Sequence, residues 1–427
     1  MTRTVGIKNV ILKISLQKSQ SIFDGVLKIF HKQLKNYFPL RWSINSIKGR
    51  QAIVEATITN VSVQYPFVLT LNETKTTSTH YGLVHIVPTG IGASIGGFAG
   101  DAAPANQLLA TVSDVMITHP NVYNASDFFN IPNSALYVEG FMIDQLMLGN
   151  IGFAPVRNNK IGLLIEKVDK QGLALVENIV NAMQAVHGIN VAAIEVMSES
   201  IGAIIERTPS GTMVGTIKNV EGLLKNAEKL LKAGTDAIAV TSIIHGIDAN
   251  LYQKHLRGKW PNLIGGVEAI ISHLIGYCFG VPCGHAPLLN YKPVGYSVVD
   301  SRSAGEYVSQ SGLVCVLKGL SKAPRIIFTQ EKYSSVVTRN DVQAVVCPET
   351  SCGGIPVLIA NKLHIPIITV TNNTTVLDVT PDKLNVSKSN IYRARNYLEA
   401  AGILGALKEG LSIDSINGNN KNKKHVL

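Results

Sequence analysis

From His80 onward this chain alternates short runs that are apolar at nearly every position with longer stretches whose apolar residues recur every three or four places. The short runs fall at 83–87, 115–118, 135–138, 161–165, 192–196, 237–241, 342–346 and 366–370, and the helical patterns at 105–112, 173–186, 220–233, 267–278, 354–363 and 391–409. A strand without a polar face must be covered on both sides, which is the condition of a parallel sheet flanked by helices. The expectation is an α/β fold: a mainly parallel sheet with helices on both faces, built as one large sheet or as two lobes. With 427 residues, 46% hydrophobic and only 16% charged, the chain can bury a large interior, and a disordered chain is excluded.

Residues 1–78 have a different texture. A strand is expected at 10–16, a helix at 21–38 carrying Ile22, Val26, Ile29, Phe30 and Phe38 on one stripe, and extended segments at 41–47, 52–59 and 67–71. This small α+β extension holds most of the net charge of +10: residues 1–50 contain ten Lys or Arg against one acid, Asp24. Residues 79–410 form the α/β core and are close to neutral, and 411–427, rich in Ser, Asn, Gly and Lys, read as a disordered tail. A basic amphipathic helix can lie on a membrane or meet a partner, but packing on a small sheet with its lysines in water is the simpler expectation.

The five cysteines are odd in number and none precedes Cys278, so a reducing compartment is expected rather than a disulfide framework. No apolar run is long enough and uncharged enough to read as a membrane span, and the first residues lack a signal-peptide pattern, which predicts a soluble protein.

The sharpest local feature is the loop from Pro88 to Asp101, directly after a strand, with glycines at Gly90, Gly92, Gly96, Gly97 and Gly100. Free N–H groups in such a loop can cradle an anion. Neither the dinucleotide fingerprint nor the nucleotide P-loop is present, since Ile95 stands where the first needs glycine and the second needs Gly-Lys-Ser/Thr. Tight packing would also explain these glycines.

Position adds a second argument, because ligands of open parallel sheets bind beyond the carboxyl ends of the strands. Those ends carry His119 and Asn121, Glu139, His245, Glu349 with Cys352, and the run Asn372, Asn373, Thr374 and Thr375. Cys352 precedes a helical run, a setting that favours a thiolate, with Glu349, His119 or His245 as acid/base partners. The run His273-x4-Cys278-x4-Cys283-x-His285 matches neither common zinc spacing, and no metal is expected.

The segment Pro88 to Asp101, together with Thr118-His-Pro-Asn-Val122, Ala135-Leu-Tyr-Val-Glu-Gly140, Gly265-Gly-Val-Glu-Ala-Ile-Ile-Ser-His273 and Asn373-Thr-Thr-Val-Leu-Asp378, resembles a family of unknown function found in cyanobacteria and in red-algal plastid genomes. The resemblance runs from about residue 84 to about residue 407. It implies no activity, but suggests a plastid or cyanobacterial origin, hence the plastid stroma or a bacterial cytoplasm. It also implies that residues 1–78 are an extension that shorter members lack, outside the shared function.

The leading expectation is an enzyme of isomerase, lyase or transferase type acting on a small polar or anionic metabolite. Its glycine loop (Gly90, Gly92, Gly96, Gly97, Gly100, Asp101), Asn121 and residues 372–375 bind the ligand, and His119, Glu139, His245, Glu349 and Cys352 supply acid, base or nucleophile. The cofactor is unknown. The alternatives are nucleic-acid or membrane-surface binding through residues 1–50, and a non-catalytic assembly protein; a homo-oligomer is compatible with either.

Overall fold

The apolar runs do form parallel strands, but in two separate sheets. The computed structural model describes residues 5–15, 21–72, 78, 80–97, 102–123, 131–288, 298–303, 305, 312–328 and 335–418. The larger sheet contains β4 (Gly82–His85), β5 (Val115–Thr118), β6 (Ala135–Tyr137), β16 (Val342–Pro348), β17 (Ile367–Val370) and β18 (Ile391–Ala394). All six are parallel, in the order β18-β17-β16-β4-β5-β6. The smaller sheet contains β8 (Ile161–Ile165), β9 (Val191–Val196), β12 (Ala237–Ser242) and β14 (Cys283–Pro287), also parallel, in the order β14-β12-β8-β9.

Alternation along each strand explains why both faces had to be apolar. In the larger sheet Leu83, Met116, Val346 and Ile368 join the core formed with α2 (Ala103–Ala110) and α10 (Tyr397–Lys408). Their neighbours Val84, Ile117, Val345 and Ile367 belong instead to the principal core, with α3 (Gly140–Leu148) and α9 (Ile355–Lys362). In the smaller sheet Ile161, Leu163, Ala237 and Ala239 pack with α4 (Lys170–His187) and α8 (Gly312–Ser321). Leu164, Ile238 and Val240 face the principal core with α5 (Val220–Lys232) and α7 (Gly265–Phe279). The principal core therefore lies between the sheets, and each Leu, Ile or Val buried there contributes about 1.5–3 kcal/mol.

The N-terminal segment folds into an antiparallel sheet, β1 (Ile7–Ser15), β3 (Gln51–Thr59) and β2 (Phe38–Lys48), with α1 (Ile22–Gln33) against it. It is fastened to the rest of the chain rather than hung from it. Phe38 stacks on Tyr277 of α7 at 4.6 Å, Lys362 of α9 pairs with Asp24 at 2.9 Å, and the Ile44 N–H donates to the Gly353 carbonyl at 3.0 Å. Glu55, only 2% exposed, accepts from the Ser210 N–H and the Thr212 hydroxyl, both at 3.2 Å. Ser210 and Thr212 belong to the turn between β10 (Ala203–Arg207) and β11 (Met213–Thr216), which are sheeted with β13 (Ile244–His245).

Several expected elements differ. The pattern at 391–409 divides into β18 and α10, because the Asn396 side chain caps the helix by accepting from the Glu399 N–H at 3.0 Å while residues 391–394 pair with β17. The first helix stops at Gln33 and Phe38 already belongs to β2; residues 67–71 are not a strand. The tail expected from 411 begins with a helical turn, α11 (Ile413–Ile416), and 419–427 lie outside the described residues. Short elements without a clear period went unread: β7 (Ile151–Ala154) with its partner β15 (Arg325–Phe328), α6 (Ala249–Leu256), α3, α8 and β14.

Candidate functional site

Sheet order places the site. In the larger sheet the chain builds outward from β4 in one direction through β5 and β6, and outward from β16 in the other through β17 and β18, so the loops leaving β4 and β16 part. A crevice beyond the carboxyl ends at such a switch point is where ligands of open α/β sheets bind. A cavity of about 280 Å³ lies there. Thr89 and Ile91 follow β4, His119 and Asn121 follow β5, Glu139 follows β6, and Ser351 and Gly353 follow β16 on its wall. The smaller sheet contributes His285 from β14, α7 contributes Glu268, Ser272 and His273, and β2 closes the cavity with residues 41–45.

Two of the five expected chemical residues reach this wall. Glu139 is the N-cap of α3, 9% exposed, and Ser272 Oγ donates to its Oε2 at 2.9 Å. Burial, reinforced by the neighbouring Glu268 charge and opposed by the Ser272 bond, pushes its pKa up to about 8, so it is mostly protonated at neutral pH. Its Oε1 has no hydrogen-bond partner among the described residues. His119 is 8% exposed, and the Val87 N–H donates to its Nε2 at 3.0 Å. Burial, with His85 and His273 nearby, pushes its pKa down to about 3. It is a neutral ring and not the base that strand-end position suggested.

The other three lie elsewhere. His245 is exposed on the short strand β13. Glu349 accepts from Arg393 Nε at 2.8 Å in a surface pair. Cys352 is fully buried, its Sγ 3.9 Å from Cys347 Sγ, and it donates to the Glu349 carbonyl at 3.3 Å. Cys347 and burial hold this thiol well above its ordinary pKa, the reverse of what a nucleophile needs, and the cap of α9 is Gly354, two residues further on.

The glycine loop is held by protein groups. Asn373 Oδ1 accepts the Ile95 N–H and the Thr374 carbonyl accepts the Ser94 N–H, both at 2.8 Å. Asn121 Nδ2 donates to the Val87 carbonyl at 2.7 Å and to the Gly96 carbonyl at 2.8 Å. Gly90 has φ +72°, and a Cβ there would sit 2.5 Å from the Met213 carbonyl oxygen; one on Gly97 would sit 2.1 Å from the Ala93 carbonyl oxygen. Gly90, Gly92, Gly96 and Gly97 therefore serve close packing and are absent from the cavity wall, where Thr89 and Ile91 stand. Gly100 and Asp101 lie outside the described residues. Asn372, Asn373, Thr374 and Thr375 brace the loop; Thr375 Oγ1 bonds to Thr350 at 2.7 Å, and Asn373 donates to the buried Tyr397 hydroxyl at 2.9 Å.

Groups that the sequence did not assign to this site complete it. His273 Nε2 accepts the Phe141 N–H at 3.3 Å, and burial, with Arg41 close by, lowers its pKa to about 3. Glu268 Oε1 lies 3.3 Å from His285 Nδ1, while Ser242 Oγ lies 2.8 Å from His285 Nε2. Oε2 of Glu268 has no hydrogen-bond partner among the described residues, and this side chain is 21% exposed, on the cavity side. Asp144, one turn into α3, has no ion-pair partner among the described residues, and burial raises its pKa well above the ordinary carboxylate value. Arg41 Nε is buried with no acceptor among the described residues, and burial lowers its pKa against the pull of Glu55; a guanidinium so placed remains a cation. Its approach to the site was unreadable, because residue 41 belongs to the extension expected to stand apart. No three His, Cys, Asp or Glu side chains among the described residues gather as metal ligands.

The comparisons with known proteins agree with this core. The profile of a family described only as proteins of unknown function, DUF3326, matches residues 82–417. The chain belongs to that family. It is also similar to an uncharacterised lipoprotein of a Synechococcus strain, 40% identical over 331 residues, covering 77% of this chain and 91% of the relative. No solved structure matches. Family membership brings no activity with it. The family match begins at β4, so the matched region holds every cavity group named above except Arg41 and its neighbours on β2. No helix among the described residues is long and apolar enough to cross a membrane.

Proposed function

We propose that this member of the family is an acid–base enzyme of isomerase or lyase type that takes a small anionic metabolite into the cavity between the sheets. The reading rests on one observation: two carboxyl groups with different surroundings face the same cavity. Glu139 is buried beside the Glu268 carboxyl and keeps its proton, whereas Glu268 is more open and has His285 Nδ1 within reach of one oxygen. Such a division assigns Glu139 as general acid and Glu268 as general base. Arg41, whose Nε is buried and which has no acid partner at bonding distance among the described residues, supports an anionic ligand. The cavity volume of about 280 Å³ suits a small molecule better than a polymer. A thiol mechanism is set aside with Cys352. The Synechococcus relative is in keeping with a plastid or cyanobacterial setting.

The test is native mass spectrometry of the purified full chain for a retained metabolite, followed by turnover of that compound. Glu139→Gln and Glu268→Gln each lower kcat by at least about a hundredfold if they carry the proton transfers. Absence of any retained or exchangeable small anion, or full turnover in both variants, overturns the reading.

A further inference from the structure

In both His119 and His273 a backbone N–H fixes where the ring proton sits, and at His119 the bond is the shorter, 3.0 Å against 3.3 Å. A main-chain N–H can only donate, so the Val87 N–H at 3.0 Å requires a lone pair on Nε2 and puts the ring proton on Nδ1. Nδ1 has no hydrogen-bond partner among the described residues, and the residue is on the cavity wall. The low pKa of this ring keeps it neutral through the physiological range. It is an N–H donor held in place at the cavity wall, able to stabilise a developing oxyanion without surrendering its proton. The N-terminal ends of α3 and α9 open onto the same space at Gly140 and at Gly354 with Ile355, and neither has a side-chain cap. Their partial positive charge acts in the same sense.

Resting on the acid–base reading above, we infer that His119 Nδ1–H holds the carbonyl oxygen of a small carbonyl compound carrying an anionic group, and that the reaction moves a proton at the adjacent carbon. The C–H bond beside the carbonyl breaks, its proton goes to Glu268 Oε2, and the electron pair forms the C=C bond of an enolate whose oxygen faces His119. Glu139 then delivers its proton to the enolate to form the new C–H or O–H bond. The proton returns from Glu268 to Glu139 between turnovers, so nothing is oxidised or reduced and no co-reactant is consumed.

Two measurements test this. In ¹⁵N-histidine-labelled full chain, His119 shows the neutral Nδ1–H tautomer from roughly pH 5 to 8; an Nε2–H tautomer, or titration within that range, overturns the inference and leaves the roles of Glu139 and Glu268 standing. In D₂O, 2-oxobutanoate and 4-oxopentanoate serve as probes with the carbonyl at two distances from the carboxylate. At least one exchanges the hydrogens beside its carbonyl faster than in buffer. That exchange falls on the order of a hundredfold in His119→Leu, and partly recovers in His119→Gln, which can still donate. Exchange of neither probe, or exchange indifferent to His119→Leu, overturns the inference. Exchange indifferent to Glu268→Gln instead overturns the acid–base reading beneath it.

Discussion

Removing the ionisable proton of Glu139 while keeping its shape should change how stability depends on pH, and the size and sign follow from its surroundings. The folded chain holds this carboxyl at about 8 against an ordinary 4.5. Between those values the folded state binds a proton that the unfolded state has released. Stability from this group is therefore complete below pH 4.5 and is lost as pH rises toward 8, by about 1.4 kcal/mol per pH unit. The buried histidines act in the opposite sense: His85 is pushed down to about 4, and His119 and His273 to about 3, so they add stability as pH rises through their ordinary 6.5 and level off above it. Over the interval from roughly pH 6.5 to 8 this carboxyl is worth ~2 kcal/mol, and the difference between wild type and a Glu139 variant cancels the other titrating groups. Glu139→Gln retains an acceptor for Ser272 and abolishes the titration. Urea unfolding across that interval should show the wild type losing ~2 kcal/mol more than the variant. A ¹³C-carboxyl titration of Glu139 should have its midpoint near 8. Parallel stability curves, or a midpoint near 4.5, would refute the argument that burial keeps this group protonated.

Other outcomes follow from particular contacts. Gly90→Ala combines φ +72° with a Cβ 2.5 Å from the Met213 carbonyl oxygen, and should cost about 2–4 kcal/mol in denaturant unfolding. Glu166, fully buried, accepts the Ile201 and Ile243 N–H groups, each at 2.5 Å, and joins the ends of β8 and β12 to the chain before β10; Glu166→Ala orphans both donors and should destabilise by about 2–4 kcal/mol. Cys352, buried and with a raised thiol pKa, should resist iodoacetamide in the native chain at neutral pH, and Cys352→Ser should leave turnover unchanged; rapid labelling would show that the thiol is not enclosed as described.

The parallel sheets were legible because burial on both faces leaves an uninterrupted apolar run, and runs such as 115–118 and 161–165 coincide with β5 and β8 to the residue. The strand-end rule likewise brought out His119 and Glu139, whose place follows from local order along the chain. The same rule failed at His245, Glu349 and Cys352: His245 lies on the short strand β13, and after the switch-point strand β16 the side chain of Glu349 pairs outward with Arg393 while that of Cys352 is buried against Cys347.

His273 lies within a nearly all-apolar helix, Glu268 one turn earlier reads as a surface acid, and His285 sits in a glycine- and proline-bounded segment that resembles a loop. Nothing in their spacing says that α7 and β14 face the ends of β5 and β6. Arg41 is the extreme case, more than 200 residues from the helix whose histidine it approaches, within a segment whose charge suggested a separate partner. By itself the sequence determined which segments are strands buried on both sides and which polar residues follow them, since periodicity and strand-end polarity are local properties. Only the tertiary structure decided which strand ends share a cavity, which carboxyl there keeps its proton, and that the basic extension forms part of the wall. Burial and the approach of charges depend on distances between elements that sequence order does not encode.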